Sequence, residues 1–233
     1  MFENWPINIS PIEWNELRSG MTINKRNKIA QIHAGQIIDQ NPEIEWNLVD
    51  IQKLKSNGIQ FLDNLLTSQQ CDEMYKYFIN SECHDFYNHH TKFNIKDAPL
   101  HVRLGRHDIK TNLKCPHVIE LITNEKIISM ASEYLGAPAT LSLMLPLWSF
   151  NNNPETENIN MQLYHRDCDD SRNLKLFVLL SDTSINDGSQ KYVAGSHVKD
   201  GLPMDMYKIT RYSDETVHNH FEKNKVVSVS GPR

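Results

Sequence analysis

The sequence has no excess of basic residues: 24 Lys and Arg stand against 29 Asp and Glu, a formal charge of -5. A phosphate backbone has to be neutralised by cations, so nucleic acid is not an expected partner. Long apolar runs are missing too. The longest, at 141–147, falls far short of the roughly 20 residues that span a bilayer, so no membrane residence is expected. Cysteine is sparse and scattered: Cys71, Cys83, Cys115 and Cys168 form no CxxC pair of zinc or redox type. They read as reduced thiols, and with acidic Glu3, Glu13 and Glu16 where a signal peptide would carry a basic start, the expected location is cytoplasmic. Glycine is scarce as well, and there is no internal repeat or low-complexity tract. What remains is ordinary globular composition, 39% hydrophobic and 23% charged over 233 residues, which favours one domain with a single site.

Residues 1–50 are polar, carry Trp5, Trp14 and Trp46, and read as an N-terminal extension with one short helix over 25–39. From Ile51 the pattern sharpens. Ile59, Phe61 and Leu62 suggest a short strand. Thr67 or Ser68 caps a helix whose Cys71, Met74, Tyr75 and Phe78 recur at helical spacing. The stretch 82–97 has no period and reads as a loop. Thr123 or Asn124 caps a second helix, with Ile127, Ile128, Ala131, Tyr134 and Leu135 leading to Gly136 as its stop and Pro138 beyond. After Pro138 the chain changes to short β-like runs at 140–147, 160–165, 174–180, 191–194 and 226–230, with a short helix over 214–221.

The residues Met161-Gln162-Leu163-Tyr164-His165-Arg166-Asp167 put a histidine and an aspartate at i and i+2 on a strand, so both leave one face. An imidazole and a carboxylate so placed supply two of the three ligands in the two-histidine, one-carboxylate arrangement that leaves open positions on Fe(II). A bare HxD recurs by chance, and the surrounding residues give it context. Tyr164 to Asp170, then Leu174-Lys175-Leu176-Phe177-Val178-Leu179-Leu180-Ser181-Asp182, then Asp187-Gly188 and Val193-Ala194-Gly195-Ser196-His197 follow one another in order. This resembles the phytanoyl-CoA dioxygenase-like family of Fe(II)/2-oxoglutarate-dependent oxygenases, in which an HxD strand is followed by an apolar strand ending in an acidic turn, a glycine turn and a PGSH loop. Upstream, Lys55-Ser56-Asn57-Gly58-Ile59 with Leu62-Asp63 looks like the family's opening strand, and Tyr134-Leu135-Gly136 like the end of its helix before the barrel.

The resemblance covers 51–233 and implies a mainly β fold with packed helices, a double-stranded β-helix (jelly roll, cupin-like) core. It implies Fe(II) and 2-oxoglutarate as cofactors, with His165 and Asp167 as iron ligands and a small-molecule substrate hydroxylated at a C–H bond. Related halogenating enzymes leave the carboxylate position vacant, so Asp167 favours hydroxylation. The family's distal histidine and its 2-oxoglutarate arginine follow a Gly-Pro turn; here Ser230-Gly231-Pro232-Arg233 looks like that turn and neither residue follows. The expectation is a core lacking its last strands, in a C-terminally incomplete domain that is either a piece of a longer enzyme or an inactive jelly-roll binding module. Val226, Val227 and Val229 would then form an open edge.

Other side chains carry weaker expectations. Lys175 and Phe177 share a strand face, and the family position of Phe177 lines the cofactor cavity, so Lys175 is a candidate partner for a 2-oxoglutarate carboxylate, with solvent exposure the competing reading. His197 belongs to the closing loop and is structural before it is a ligand. His218 and His220 read as a solvated helix face, and His84, His89 and His90 as a surface loop. Arg103 and Arg106 could reach an anionic substrate, although a surface arginine is the default at each. Gln162 reads as a satisfied strand residue, and Asp169 and Asp170 as turn carboxylates.

Overall fold

The computed structural model describes residues 20–150, 160–167, 170–184, 188–198 and 200–229. Helix α1 (Ile23–Gln40) starts where the Thr22 hydroxyl accepts the Lys25 N–H, and it buries Ile29 and Ala30. Helix α2 (Gln52–Asn57) stops at Gly58, whose φ of 76° lies in the left-handed region that a Cβ disfavours. Helix α3 (Ser68–Ile79) has a complete capping box between Thr67 and Gln70, and it turns Cys71, Met74 and Phe78 inward. After two short helices, α4 (Ile109–Lys114) and α5 (Val118–Ile122), α6 (Glu125–Leu135) begins at Asn124 and ends at Gly136.

The strands are short and antiparallel. β1 (Cys83–Asp85), β2 (Lys92–Phe93), β3 (Leu104–Arg106) and β4 (Leu147–Ser149) form a sheet in the order β2-β1-β3-β4. β5 (Tyr164–His165) pairs with β7 (Arg211–Tyr212), and β6 (Gln190–Val193) with β8 (Val226–Val229). Helix α7 (Asp214–His220) links β7 to β8 and is capped by the Ser213 hydroxyl. Among the described residues helix outweighs strand, 40% to 12%, so the architecture is helices with small antiparallel sheets.

Several expected elements differ. The 59–62 run forms no strand, and the residues likened to an opening strand at 55–59 are instead the end of α2 and its glycine cap. The 82–97 stretch is not a loop throughout: it folds into β1, β2 and a 3₁₀ turn at Ile95–Asp97. The 140–147 run enters a strand only at Leu147, the 160–165 run is a 3₁₀ turn (Asn160–Gln162) followed by β5, and the 174–180 run carries no ladder. Apolar residues make a strand only where a neighbour accepts their backbone hydrogen bonds. Instead, the 174–180 run is pinned at its ends: Leu174 packs on the Ile51, Leu54 and Met130 cluster, Leu180 on the Met74, Phe78, Cys115 and Val118 cluster.

A third cluster holds the C-terminal half together. Leu202, Met206, Tyr207, Tyr212 and Val217 are buried, with Ile23 of α1, Tyr164 of β5, Val193 of β6 and Val226 of β8 packed around them. Thus α1, within the sequence's N-terminal extension, is part of the packing that carries β5. The valine strand β8 is half-buried and paired on one side by β6. Cys71, Cys83 and Cys115 are buried free thiols. No helix among the described residues is long and apolar enough to cross a membrane. The expectations for residues 1–19, Cys168, Asp169, Asp187 and 230–233 lie outside the described residues.

Candidate metal site

Strand alternation separates two jobs in β5. Tyr164 packs into the Leu202–Val217 cluster, and Arg166 beyond it is tied down by donating its Nε–H to the Tyr212 hydroxyl at 2.9 Å while stacking over the Tyr207 ring at 5.3 Å. His165 and Asp167 come together on the other side. His165 donates Nδ1–H to the Leu163 carbonyl at 2.8 Å, which leaves Nε2 as the lone-pair nitrogen, and Nε2 lies 3.5 Å from Asp167 Oδ1. Two donor atoms, each about 2.1 Å from one ion, can stand this far apart in a single coordination shell. Helix α1 fixes the backbone here: Arg26 donates to the carbonyls of Asp167 (3.3 Å) and Asp170 (2.8 Å).

Lys175 reaches the same carboxylate. Its Nζ is 2.5 Å from Asp167 Oδ2, with both side chains more than a third exposed. The ammonium expected to face a cofactor carboxylate or solvent is thus bonded to the candidate metal ligand. Phe177 is exposed on its outer side, and its ring meets Tyr192 edge to face at 6.3 Å. Tyr192 escaped the sequence reading. Burial pushes its phenol up to about 12, with the charge of Asp167 adding to the effect, so it stands as a neutral hydroxyl near the pair. No local signal in the sequence marks it, because alternation along β6 turns Val193 to the Leu202–Val217 cluster and Tyr192 to the other face.

The other candidates lie elsewhere. His197 packs against Gly58 at the end of α2, with Nε2 at 3.1 Å from the Lys55 carbonyl; Gly195 N–H donates to Asn57 O at 2.9 Å, so this loop closes onto α2, and burial holds the His197 pKa down. His220 bridges α7 to Asp205 at 2.8 Å while bonding Thr216 O, and both partners raise its pKa. His84 contacts the His89 carbonyl, and Arg106 lies 2.6 Å from the His89 ring nitrogen Nδ1. Gln162 donates to Ser149 Oγ at 3.2 Å. Arg103 departs from the surface default: it is 7% exposed. A half-open cavity of about 570 Å³ lies past the closing loop, walled by Gly195, Asp200, His220, Phe221 and Lys225 among others. None of His165, Asp167, Lys175 and Phe177 lines it, and the ligand chemistry expected of HxD belongs to the pair, not to this cavity.

The donor set of the pair, one imidazole nitrogen and one carboxylate oxygen, suits a ferrous ion as two of three protein ligands. Among the described residues no group of three His, Cys, Asp or Glu stands together to hold a metal ion. Comparison with family models, with curated proteins and with solved structures found no match.

Proposed function

We propose that this chain is an Fe(II)- and 2-oxoglutarate-dependent dioxygenase that hydroxylates a small organic substrate at a C–H bond, on a double-stranded β-helix core. The observation that supports it is the 3.5 Å approach of His165 Nε2 to Asp167 Oδ1, on an imidazole whose other nitrogen is already committed. The ordered motifs from Tyr164 to His197 agree with it. When bound, Fe(II) with 2-oxoglutarate supplies the oxidising power: the oxo acid and O2 are converted to succinate and CO2, and the second oxygen atom enters the C–H bond.

The chain's own residues prepare that chemistry. The Leu163 carbonyl fixes the His165 tautomer so that Nε2 presents its lone pair. Lys175 occupies Oδ2 of Asp167 and leaves Oδ1 as the free donor, which keeps the carboxylate monodentate. The Phe177 ring meets that of Tyr192, and Tyr192 keeps its proton at neutral pH beside Asp167.

A second reading, a jelly-roll module that binds a ligand without turnover, is favoured by one feature: the donor pair has no third metal-binding side chain beside it among the described residues. One experiment separates the two. The chain is loaded anaerobically with Fe(II), and succinate is measured after adding 2-oxoglutarate and air, alongside His165→Ala and Asp167→Ala. The enzyme reading expects succinate from the parent chain and none from either variant. Stoichiometric 2-oxoglutarate binding without succinate would establish the binding module, and a parent chain that binds neither iron nor 2-oxoglutarate overturns both.

A further inference from the structure

Arg103, on the sheet that precedes the candidate metal site, is a buried cation with an unpartnered nitrogen. The residue is 7% exposed, and its Nη2 is buried with no hydrogen-bond partner. Its backbone is fixed: Arg103 O accepts the Phe150 N–H at 2.9 Å, extending the β3–β4 pairing. Alternation puts its side chain on the same face as Gly105. There a Cβ at Gly105 would meet Cys83 Sγ, Phe150 and Phe93, so that face carries a thiol and aromatic rings, and with them the carboxylate of Asp85, which pairs opposite Gly105.

The nearest carboxylate by register does not answer it. Asp85 of β1 is opposite Gly105 and is also 7% exposed, yet its Oδ1 accepts the Tyr87 N–H at 2.9 Å, and no ion pair joins it to Arg103. Arg106 contrasts: it alternates to the opposite face, lies beside the His89 ring and stacks on Phe86. A guanidinium cannot shed its proton at physiological pH, so the usual escape of a buried ionisable group is closed to it. Burying it without a counter-charge is strongly unfavourable, and an anion brought to it would act in a poorly screened setting. The planar fork of donors matches two oxygens of one carboxylate or phosphate. The chain reaches this position through the turn that Val102 N–H closes onto Pro99 O, in which Leu100 is 72% exposed.

We propose that Arg103 anchors an oxyanion-binding site on the β2-β1-β3-β4 sheet, taking the carboxylate or phosphate group of a small ligand. The site does not depend on the iron reading, because its chemistry needs only the unpaired guanidinium. Arg103 is here a ligand-binding residue with no step of its own.

The test compares the parent chain with Arg103→Met and Arg106→Met in a buffer free of oxyanions, by thermal unfolding, with inorganic phosphate and succinate added in separate series and titrated calorimetrically. Methionine keeps most of the side-chain volume and removes the charge. The expected result is that phosphate or succinate raises the melting temperature of the parent and of Arg106→Met, that Arg103→Met loses the shift, and that without anion Arg103→Met melts no lower than the parent. The series that gives the larger shift identifies the source as phosphate or carboxylate. Equal shifts in the parent and Arg103→Met, no shift with either anion, or an Arg103→Met chain that unfolds in anion-free buffer while the parent stays folded would overturn the proposal, the last because it would show that Arg103 is already compensated. None of these readouts involves iron or turnover, so failure here leaves the dioxygenase reading standing.

Discussion

Lys175 holds Asp167 by one oxygen: its Nζ lies 2.5 Å from Oδ2, while His165 faces Oδ1 at 3.5 Å. The carboxylate is thus shared between a cation supplied by the chain and the position a metal ion would take. An ammonium beside a dication repels it, and in this half-exposed setting the repulsion is screened by water.

Replacing Lys175 by Met is therefore expected to raise affinity for a divalent ion such as Mn(II) or Co(II) by about tenfold, the scale of one extra charge a few ångströms away in a water-like medium. Calorimetric titration without 2-oxoglutarate checks it. A loss of affinity would show that the hold of Lys175 on Asp167 Oδ2 outweighs the repulsion between ammonium and metal.

The contact between Glu73 and His117, with Nε2 to Oε2 at 2.7 Å, carries a pH signature. Glu73 raises the His117 pKa above its ordinary 6.5, and the His117 hydrogen bond lowers that of Glu73 below 4.5. The histidine contribution is complete below 6.5 and fades as pH rises through the raised value; the glutamate contribution is complete above 4.5 and fades as pH falls through the lowered one. Glu73→Gln should lower the melting temperature most between pH 4.5 and 6.5, and the difference should shrink as pH rises through the raised His117 value. A pH-independent difference would show that the pair acts through packing alone.

His107 shows the opposite sign. It donates Nδ1–H to the Glu82 carbonyl and accepts the Trp148 indole N–H on Nε2, both at 2.9 Å, so it is buried neutral, and burial lowers its pKa. Stability from this group is present above pH 6.5 and is lost as pH falls through the lowered folded value. Trp148→Phe should destabilise by about 1–3 kcal/mol, because a buried acceptor loses its donor. It should also flatten the acid side of the stability profile below pH 6.5, measured by denaturant unfolding across that range.

Two glycines predict opposite outcomes for the same substitution. A Cβ at Gly35, inside α1, meets nothing within 4 Å, so Gly35→Ala should stabilise by about 0.5–1 kcal/mol through helix propensity. At Gly58, φ is 76° and a Cβ would lie 2.6 Å from His197 Nδ1, so Gly58→Ala should destabilise by more than about 1 kcal/mol. Urea unfolding of both variants checks the pair. If Gly58→Ala is neutral, the loop at Gly195–His197 does not bear on α2 as described.

Helix signals were legible in the sequence because they are local. Thr67 and Asn124 as starts, Gly136 as a stop and the inward spacing of Met74 and Phe78 depend on neighbours three or four residues away. The i, i+2 meeting of His165 and Asp167 was legible for the same reason, since two residues on one extended segment settle it. Strands were not so determined. Nothing within 82–97 announces that Cys83 will lie opposite Phe93, and nothing within 174–180 says that it will find no ladder, because pairing is made by distant segments. Tertiary structure alone brought Lys175 onto Asp167 and Tyr192 beside Phe177, and left Arg103 Nη2 buried without a hydrogen-bond partner. Burial and charge pairing are properties of the packed chain, whereas residue type and spacing are properties of the sequence.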